Sequence, residues 1–179
     1  MAGAKANTFI RSLLRAAAFP HPIAEIRFLE THISWVVLTG TYAYKIKKPV
    51  KLRFLDFSTV ELRKHYCDEE LRLNRRWAPD LYLGVVEIRG SRTSATIEGQ
   101  GPLIDYAVKM VQFPQDARLD AQLAAGTLDY DDMRSLATML AAKHRDADVK
   151  TPGIPESVSG PMMDNFDDIA KHFDQAPLH

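Results

Sequence analysis

The sequence predicts an α+β fold: an antiparallel sheet packed against one long helix, followed by further helices. Three observations predict it. Apolar, β-branched runs separated by short turns occupy residues 24–47 and 80–113. Between these two groups of strands, residues 58–78 have helical periodicity. After Pro114 the remaining apolar segments also have helical spacing.

The first 20 residues predict a short amphipathic helix that ends before Pro20. Its apolar positions have helical spacing: Phe9, Ile10, Leu13, Leu14 and Ala17. Arginine and alanine without any acidic residue are also typical of a targeting peptide. Arg11 and Arg15 interrupt the apolar run, so a helix is the favoured interpretation.

The strands of the predicted sheet are short and joined by turn signals. They cover residues 24–33, 35–38, 42–46, 80–88, 94–97 and 104–113. Thr39-Gly40-Thr41 is the turn between the second and third strands. Side chains alternate between the two faces of a strand, so one face of the third strand carries Ala43, Lys45 and Lys47. Its other face carries Tyr42, Tyr44 and Ile46.

The helical segment between the two groups of strands begins with a capping box. Ser58 is a good N-cap residue, and Glu61 lies three positions later. Ala78-Pro79 ends the helix, because a residue before proline disfavours helical backbone. At about 100° per residue, one sector of roughly 60° holds the main apolar side chains. They are Leu62, Tyr66, Leu73 and Trp77.

Glu69 and Glu70 each lie about 50° from the centre of that apolar sector, on opposite sides of it. Glu69 borders the more basic side of the helix, and Glu70 borders the more apolar side. Arg63, on the side of Glu70, is a competing partner for the Glu70 carboxylate. A carboxylate on the buried side needs a partner, because burying an isolated charge is costly. Lys45 is the expected partner of Glu70. In the alternative interpretation, both glutamates lie in solvent.

Five segments carry a resemblance to a known family: ETHISWVVLTG, YAYKIKKPV, FLDFS, EELRLNRRWAPDLY and AVKMVQFP. They cover most of residues 20–114, and a weaker similarity continues through Asn165. These segments resemble the N-terminal lobe of aminoglycoside-phosphotransferase-like kinases, which have a protein-kinase-like fold. The closer resemblance is to a bacterial family in which such a half is often fused to a P-loop ATP-binding half. The resemblance implies an ATP-binding lobe and leaves the small-molecule acceptor unknown.

The resemblance implies roles for the lysine in the middle of the third strand and for its neighbours. Lys45 is implied as the lysine that binds nucleotide phosphates, and Glu70 as its helix glutamate. Ala43, on the same face, leaves room for a flat base and matches the alanine–x–lysine part of the kinase strand motif. Lys47 is the alternative to Lys45.

Two further segments are implied to contact the nucleotide. A loop after the first strand would cover the phosphates with hydroxyl and backbone N–H groups, although it contains no glycine. It holds Thr31, His32 and Ser34. The hinge after the last strand would bind the adenine edge, and its candidates are Met110, Val111, Gln112 and Phe113. The alternatives are an ordinary hairpin loop and, for the first two hinge candidates, plain core packing.

The part of the chain after Pro114 contains two clear helical patterns. Residues 119–125 end at Gly126, which is a C-cap signal. Asp129 caps a helix that extends to about residue 147. His144 is interpreted as a packed histidine at the end of that helix. A loop is predicted at 151–161 and a short helix at 165–173.

The predicted domains are an N-terminal helix at 1–20, a kinase-like N-lobe at 21–114 and a partial helical C-lobe at 115–179. Phosphoryl transfer in this fold needs a catalytic Asp, a metal-binding Asn and a second metal-binding Asp. In the resembled family these residues follow the hinge, and this sequence stops at His179 before either motif. No catalytic or metal-binding residue is therefore assigned, and the chain is expected to be an inactive fragment. The implied cofactor is ATP, with Mg in the full-length family.

Two short segments resemble kinase motifs but lack the structural context that those motifs require. His144-Arg145-Asp146 ends a helix, and Thr151 occupies the position where the motif requires Asn. Asp56-Phe57-Ser58 precedes the carboxylate-bearing helix, which is the wrong order. A Walker-A sequence is absent from the chain.

The composition restricts the binding partners and the cell compartment that are expected. The 23 basic Lys and Arg residues balance 23 acidic residues, which argues against a nucleic-acid or acidic-membrane partner. No apolar run approaches the roughly 18 residues needed to span a bilayer. The single Cys67 allows no internal disulfide and fits a reducing cytoplasm. The alternative function is a non-enzymatic lobe that binds another protein through the apolar surface a missing C-lobe would cover, and self-association in solution would favour it.

Overall fold

The computed structural model describes residues 7–147, 159–160, 162–163, 165–166 and 169. Its contacts divide the chain into two compact units, Met1–Ala117 and Arg118–His179. Within the predicted loop at 151–161, Ser159 and Gly160 are helical, and residues 151–158 lie outside the described residues.

The first unit is an α+β structure built on a six-stranded antiparallel sheet. Its strands are β1 (Arg27–Glu30), β2 (Ser34–Leu38), β3 (Tyr42–Lys47), β6 (Tyr82–Ser91), β7 (Ser94–Ile97) and β8 (Leu103–Val111). They lie in the order β1-β2-β3-β8-β6-β7. All six were predicted, and β1 is shorter than expected. A separate two-stranded ladder, β4 (Lys51–Leu52) and β5 (Leu55–Asp56), was not predicted.

The N-terminal segment covers one face of the sheet. It forms helix α1 (Thr8–Leu13) and a 3-10 turn at Ala16–Ala18. The apolar side chains of α1 are buried with those of β3 that point to the same face, including Tyr44 and Ile46. The Ala95 amide of the edge strand β7 donates to the Ser12 hydroxyl. The helix therefore satisfies backbone groups that an edge strand otherwise leaves unpaired.

The long helix α2 (Val60–Asn74) contacts the sheet through β8 and β6. The predicted capping box is wrong by one residue: Thr59 is the N-cap, and its hydroxyl accepts from the Leu62 amide. Ser58 instead binds the Asp56 carboxylate through its own hydroxyl and amide. This local Asx-type bond holds Ser58 outside the helix.

The predicted apolar face of α2 is correct only in part. Leu62 and Tyr66 are partly buried. In contrast, Leu73 is 45% exposed, and Trp77, which lies beyond the end of the helix at Asn74, is 44% exposed. The buried residues of the helix are Arg63 and Cys67. The physical reason is that the sheet presents charged partners to α2, so its packed stripe carries polar groups.

The second unit contains helix α3 (Leu119–Ala125), which ends at Gly126 with φ of 67°, and helix α4 (Tyr130–Arg145). Asp129 caps α4 in a capping box with Asp132, as its position in the sequence predicts. His144 is exposed in the last turn, so the expectation of a packed histidine is wrong. The two helices have large exposed apolar side chains: Leu119, Leu123, Tyr130, Met133, Met139 and Leu140.

No helix in the described part of the chain has the length and apolar character needed to cross a membrane.

Candidate functional site

Glu70 on α2 binds two lysines of β3 at once. The Lys45 Nζ donates to Glu70 Oε1 over 2.8 Å, and the Lys47 Nζ donates to Glu70 Oε2, also over 2.8 Å. The side chains of Glu70 and Lys47 are 11% and 6% exposed, whereas that of Lys45 is 32% exposed. These three residues are called the lysine–glutamate triad below. One ammonium group of the triad faces solvent and the other is enclosed.

Strand alternation and helical spacing together produce the triad. Lys45 and Lys47 point to the face of β3 opposite Tyr44 and Ile46, as predicted. Arg63, Cys67 and Glu70 follow one another at the i, i+4, i+7 positions of α2, and so form one stripe. The ion pair predicted between Lys45 and Glu70 is therefore present.

The neighbouring glutamate has a different environment. Glu69 binds the Arg72 guanidinium on the surface of α2. Arg63 does not compete for Glu70, because its guanidinium binds Asp105. The two glutamates thus have separate cations, and Glu70 is the one that faces the strand lysines.

The electrostatics of the triad keep Glu70 ionised. Burial by itself raises the pKa of Glu70, but the attraction of Lys45 and the hydrogen bonds from both lysines outweigh it. The net effect lowers the pKa of Glu70 below its ordinary value near 4.5. The triad therefore carries two positive charges and one negative charge at neutral pH.

Acid should weaken the fold partly through Glu70. Because its pKa is lower in the folded state, its stabilising contribution is present above about pH 4.5 and is lost as the pH falls through the folded value. We expect Glu70→Gln to lose less unfolding free energy than the unaltered chain between neutral pH and about pH 3. Urea unfolding at both pH values measures this difference, with Glu69→Gln as the surface control. Equal acid losses in Glu70→Gln and the unaltered chain would contradict the assignment.

Two uncharged groups lie beside the triad. Cys67 is fully buried, and burial raises the pKa of its thiol to about 12, so the thiol is neutral and unreactive. Burial, followed by the charge of Glu70, raises the pKa of Tyr82. Tyr82 lies at the start of β6, in register with Met110 of β8. Sequence reasoning missed Tyr82, although its position in the strand after α2 was available as a signal.

The predicted phosphate loop is a tight turn whose polar groups are mostly used internally. The Thr31 amide donates to the Ser34 carbonyl over 2.9 Å, and the Ser34 amide donates to Thr31 Oγ1 over 2.9 Å. His32 is exposed. The Ser34 hydroxyl is buried without a hydrogen-bond partner in the part of the chain described. Phosphate contact by Thr31 or Ser34 amides therefore requires this turn to open, and the predicted roles remain predictions.

The predicted base-binding residues lie along β3 and at the end of β8. Ala43 is buried and pairs with Leu38 on one side and Met110 on the other. The Gln112 amide donates to the Thr41 carbonyl over 2.9 Å. The Gln112 side-chain oxygen accepts from the Gly40 amide, also over 2.9 Å. Phe113 is exposed. Gln112 thus connects the β2–β3 turn to the end of β8, and adenine binding by these residues stays a prediction.

A second buried ion pair fixes the start of α2, and sequence reasoning did not find it. The Arg63 Nε donates to both oxygens of Asp105 on β8, over 2.9 and 3.0 Å. The Arg63 Nη1 also donates to the carbonyls of Phe57 and Ser58. Burial raises the pKa of Asp105, and Arg63 only partly offsets this. The ion pair with Arg63 therefore has to offset the desolvation cost of burying the Asp105 carboxylate.

An open cavity of about 420 Å³ lies away from the triad. Its lining consists of Lys64, Val85, Val86, Glu87, Arg89, Glu98 and Tyr106. The charged side chains of this cavity pair with one another or with neighbours, as Arg89 does with Glu87. In the described residues, no group of three or more His, Cys, Asp or Glu side chains can hold a metal ion. The triad remains the strongest candidate for an anion site.

Comparison with known proteins finds similar mycobacterial chains that are named only as uncharacterized. Uncharacterized proteins of Mycobacterium tuberculosis and Mycobacterium bovis are each 30% identical over 162 residues. The match covers 87% of this chain and 31% of each relative, so the chain spans less than a third of the length of these curated relatives. No protein-family model matches the chain. No solved structure gives a significant match either.

Proposed function

We propose that this chain is the ATP-binding lobe of an aminoglycoside-phosphotransferase-like small-molecule kinase. The observation that carries the proposal is the ion pair between Lys45 in mid-strand and Glu70 on the helix packed beside it. Protein kinases place a strand lysine on the nucleotide phosphates, and a helix glutamate pairs with that lysine. The α+β arrangement of an antiparallel sheet and one long helix supports the same proposal.

The charge and exposure of the triad fit a phosphate ligand. Its net charge is positive, and its one partly exposed ammonium belongs to Lys45. On β2 and β8, Lys45 pairs with Val36 and Val108. These apolar neighbours offer the Lys45 ammonium no hydrogen-bond acceptor, so its partly exposed side is available to an anion.

We propose that the acceptor and metal sites belong to the part of the longer relatives that this chain does not span. The described residues offer no carboxylate cluster for Mg. Phosphoryl transfer depends on such groups for positioning and for charge stabilisation. We therefore place ATP binding, and not catalysis, in this chain. The single buried Cys67 is consistent with a cytoplasmic location.

Calorimetric titration with ATP-Mg tests the proposal. We expect weak binding by the unaltered chain and a further loss of about tenfold or more in Lys45→Ala, because a charge-assisted bond to phosphate is removed. Lys51→Ala is the matched control, since Lys51 is in the same basic segment and pairs with Asp56 on the surface. Failure of the unaltered chain to bind ATP at about millimolar concentration would reject nucleotide binding by this chain.

A second candidate function, self-association, is favoured by the apolar surface of α3 and α4. Leu123 and Tyr130 are among the most exposed apolar side chains there. Several large exposed apolar side chains on neighbouring helices are typical of interaction surfaces. Sedimentation velocity is expected to show a concentration-dependent dimer that Leu123→Lys weakens, whereas Phe54→Lys, at an exposed apolar residue of the first unit, leaves it intact. A monomer at all concentrations would reject this candidate.

A further inference from the structure

The lysine–glutamate triad contains one more cation than a single ion pair needs. Each oxygen of Glu70 has its own ammonium donor, at equal distances of 2.8 Å. If Lys45 turned away, Glu70 would still be neutralised by Lys47. A carboxylate this deeply buried would otherwise hold its only cation firmly, because an unpaired buried charge is costly.

The surroundings of Lys47 hold its side chain in place. Its side chain is enclosed, and its Nζ lies 4.9 Å from the centre of the Phe57 ring. A cation over an aromatic face is stabilised further when it is shielded from water. On β2 it is paired with the buried Ser34, so solvent is excluded on that side as well. Lys47 therefore has no open path to a ligand, whereas Lys45 does.

We propose that Lys47 is a positioning residue, which holds Glu70 in place so that Lys45 is free to turn to an anionic ligand. The inference rests on the proposed function insofar as the ligand is a nucleotide phosphate. Without Lys47, both oxygens of Glu70 would be available to Lys45 alone. Lys45 would then be held more tightly and would bind phosphate less well. Lys47 thus acts on the ligand through Glu70 and Lys45, without touching it.

ATP titration of four chains tests this coupling: the unaltered chain, Lys47→Met, Glu70→Gln and the Lys47→Met/Glu70→Gln double variant. We expect Lys47→Met to weaken ATP binding by about tenfold, a loss comparable to that of a charge-assisted bond. The double variant is expected to bind like Glu70→Gln alone, since Lys47 acts only through Glu70. A purely structural role predicts instead that Lys47→Met lowers affinity equally in both backgrounds.

Acetylation of Lys45 gives a second measurement that needs no nucleotide. The rate of reaction with acetic anhydride, determined for each lysine by mass spectrometry, reports how free the Lys45 amine is. We expect Lys47→Met to slow Lys45 acetylation severalfold, and Glu70→Gln to restore it in the double variant. Lys51→Met, which removes an exposed cation from the same segment, is expected to leave the Lys45 rate unchanged.

The two measurements separate failure of the inference from failure of the proposed function. Absent ATP binding together with the expected acetylation pattern would reject nucleotide binding and uphold the role of Lys47. An unchanged rate of Lys45 acetylation in a folded Lys47→Met chain would overturn that role, whether or not the chain binds ATP. If Lys47→Met does not fold, the double variant is compared with Glu70→Gln. Different rates of Lys45 acetylation in these two chains would also overturn the positioning role of Lys47.

Discussion

Replacing Glu70 with alanine is expected to lower the free energy of unfolding by about 3 kcal/mol or more, because it leaves a buried lysine without its counter-ion. Lys45 can turn its ammonium into solvent, but Lys47 is enclosed and cannot. The cost therefore comes mainly from the unpaired charge of Lys47. Urea unfolding of the folded chain at neutral pH measures the change.

The neighbouring residue provides the matched control for this substitution. Glu69 lies one position earlier on α2 and pairs with Arg72 in an exposed i, i+3 bridge. Because exposed bridges contribute only about 0–1 kcal/mol, Glu69→Ala should be nearly neutral. Similar losses in the two variants would mean that Glu70 is not the buried electrostatic partner described here.

Replacing Arg63 with methionine is expected to cost a similar amount, about 3–5 kcal/mol, for the same physical reason. The substitution leaves the Asp105 carboxylate buried without its cation. It also removes the donor to the carbonyls of Phe57 and Ser58, which hold the segment that leads into α2. The variant is expected to unfold at clearly lower urea concentration.

The next residue and a double-mutant cycle make this test specific. Lys64→Met removes an exposed pair with Asp68 and should cost about 1 kcal/mol or less. The Arg63→Met/Asp105→Asn double variant removes both charges, so its loss should be smaller than the sum of the two single losses. Additive losses would show that the two side chains do not stabilise each other.

Local patterns in the sequence predicted most of the sheet and the strand lysines of the candidate site. Period-two alternation correctly placed Lys45 and Lys47 on the face opposite Tyr44. Helical angles placed Glu69 and Glu70 symmetrically about the predicted apolar sector, and the expected pairing with Lys45, which the structure contains, selected Glu70. The strand prediction succeeded because it depends on the geometry of a single element, which the order of residues determines directly.

The remaining parts depended on contacts between distant residues. Hydrophobic periodicity gave α2 an apolar face, yet its buried side chains are Arg63 and Cys67. The partner that makes burial of Arg63 possible is Asp105, 42 positions along the chain. No local pattern connects them, since Asp105 was hidden inside an ordinary strand. The helix cap was misplaced for a related reason, because Asp56 competes for Ser58.

The same limitation applies to the basic run from Lys45 to Arg53. Read alone, such a run is typical of a solvated edge. In the structure, Lys48 binds Glu30 and Lys51 binds Asp56, so these cations are neutralised within the fold. The triad combines two cations with a single carboxylate. Sequence alone cannot distinguish the two lysines that share Glu70 from the lysines of the run that pair with other carboxylates.

We propose that ATP binds where Lys45 meets Glu70. Titration of the isotope-labelled chain with ATP-Mg, followed by amide and lysine side-chain NMR shifts, tests it most directly. We predict the largest shifts at Lys45 and at the β3 amides around Ala43, and their loss in Lys45→Ala. Shifts confined to the cavity near Lys64 and Tyr106, or no shifts at about millimolar ATP, would contradict the claim.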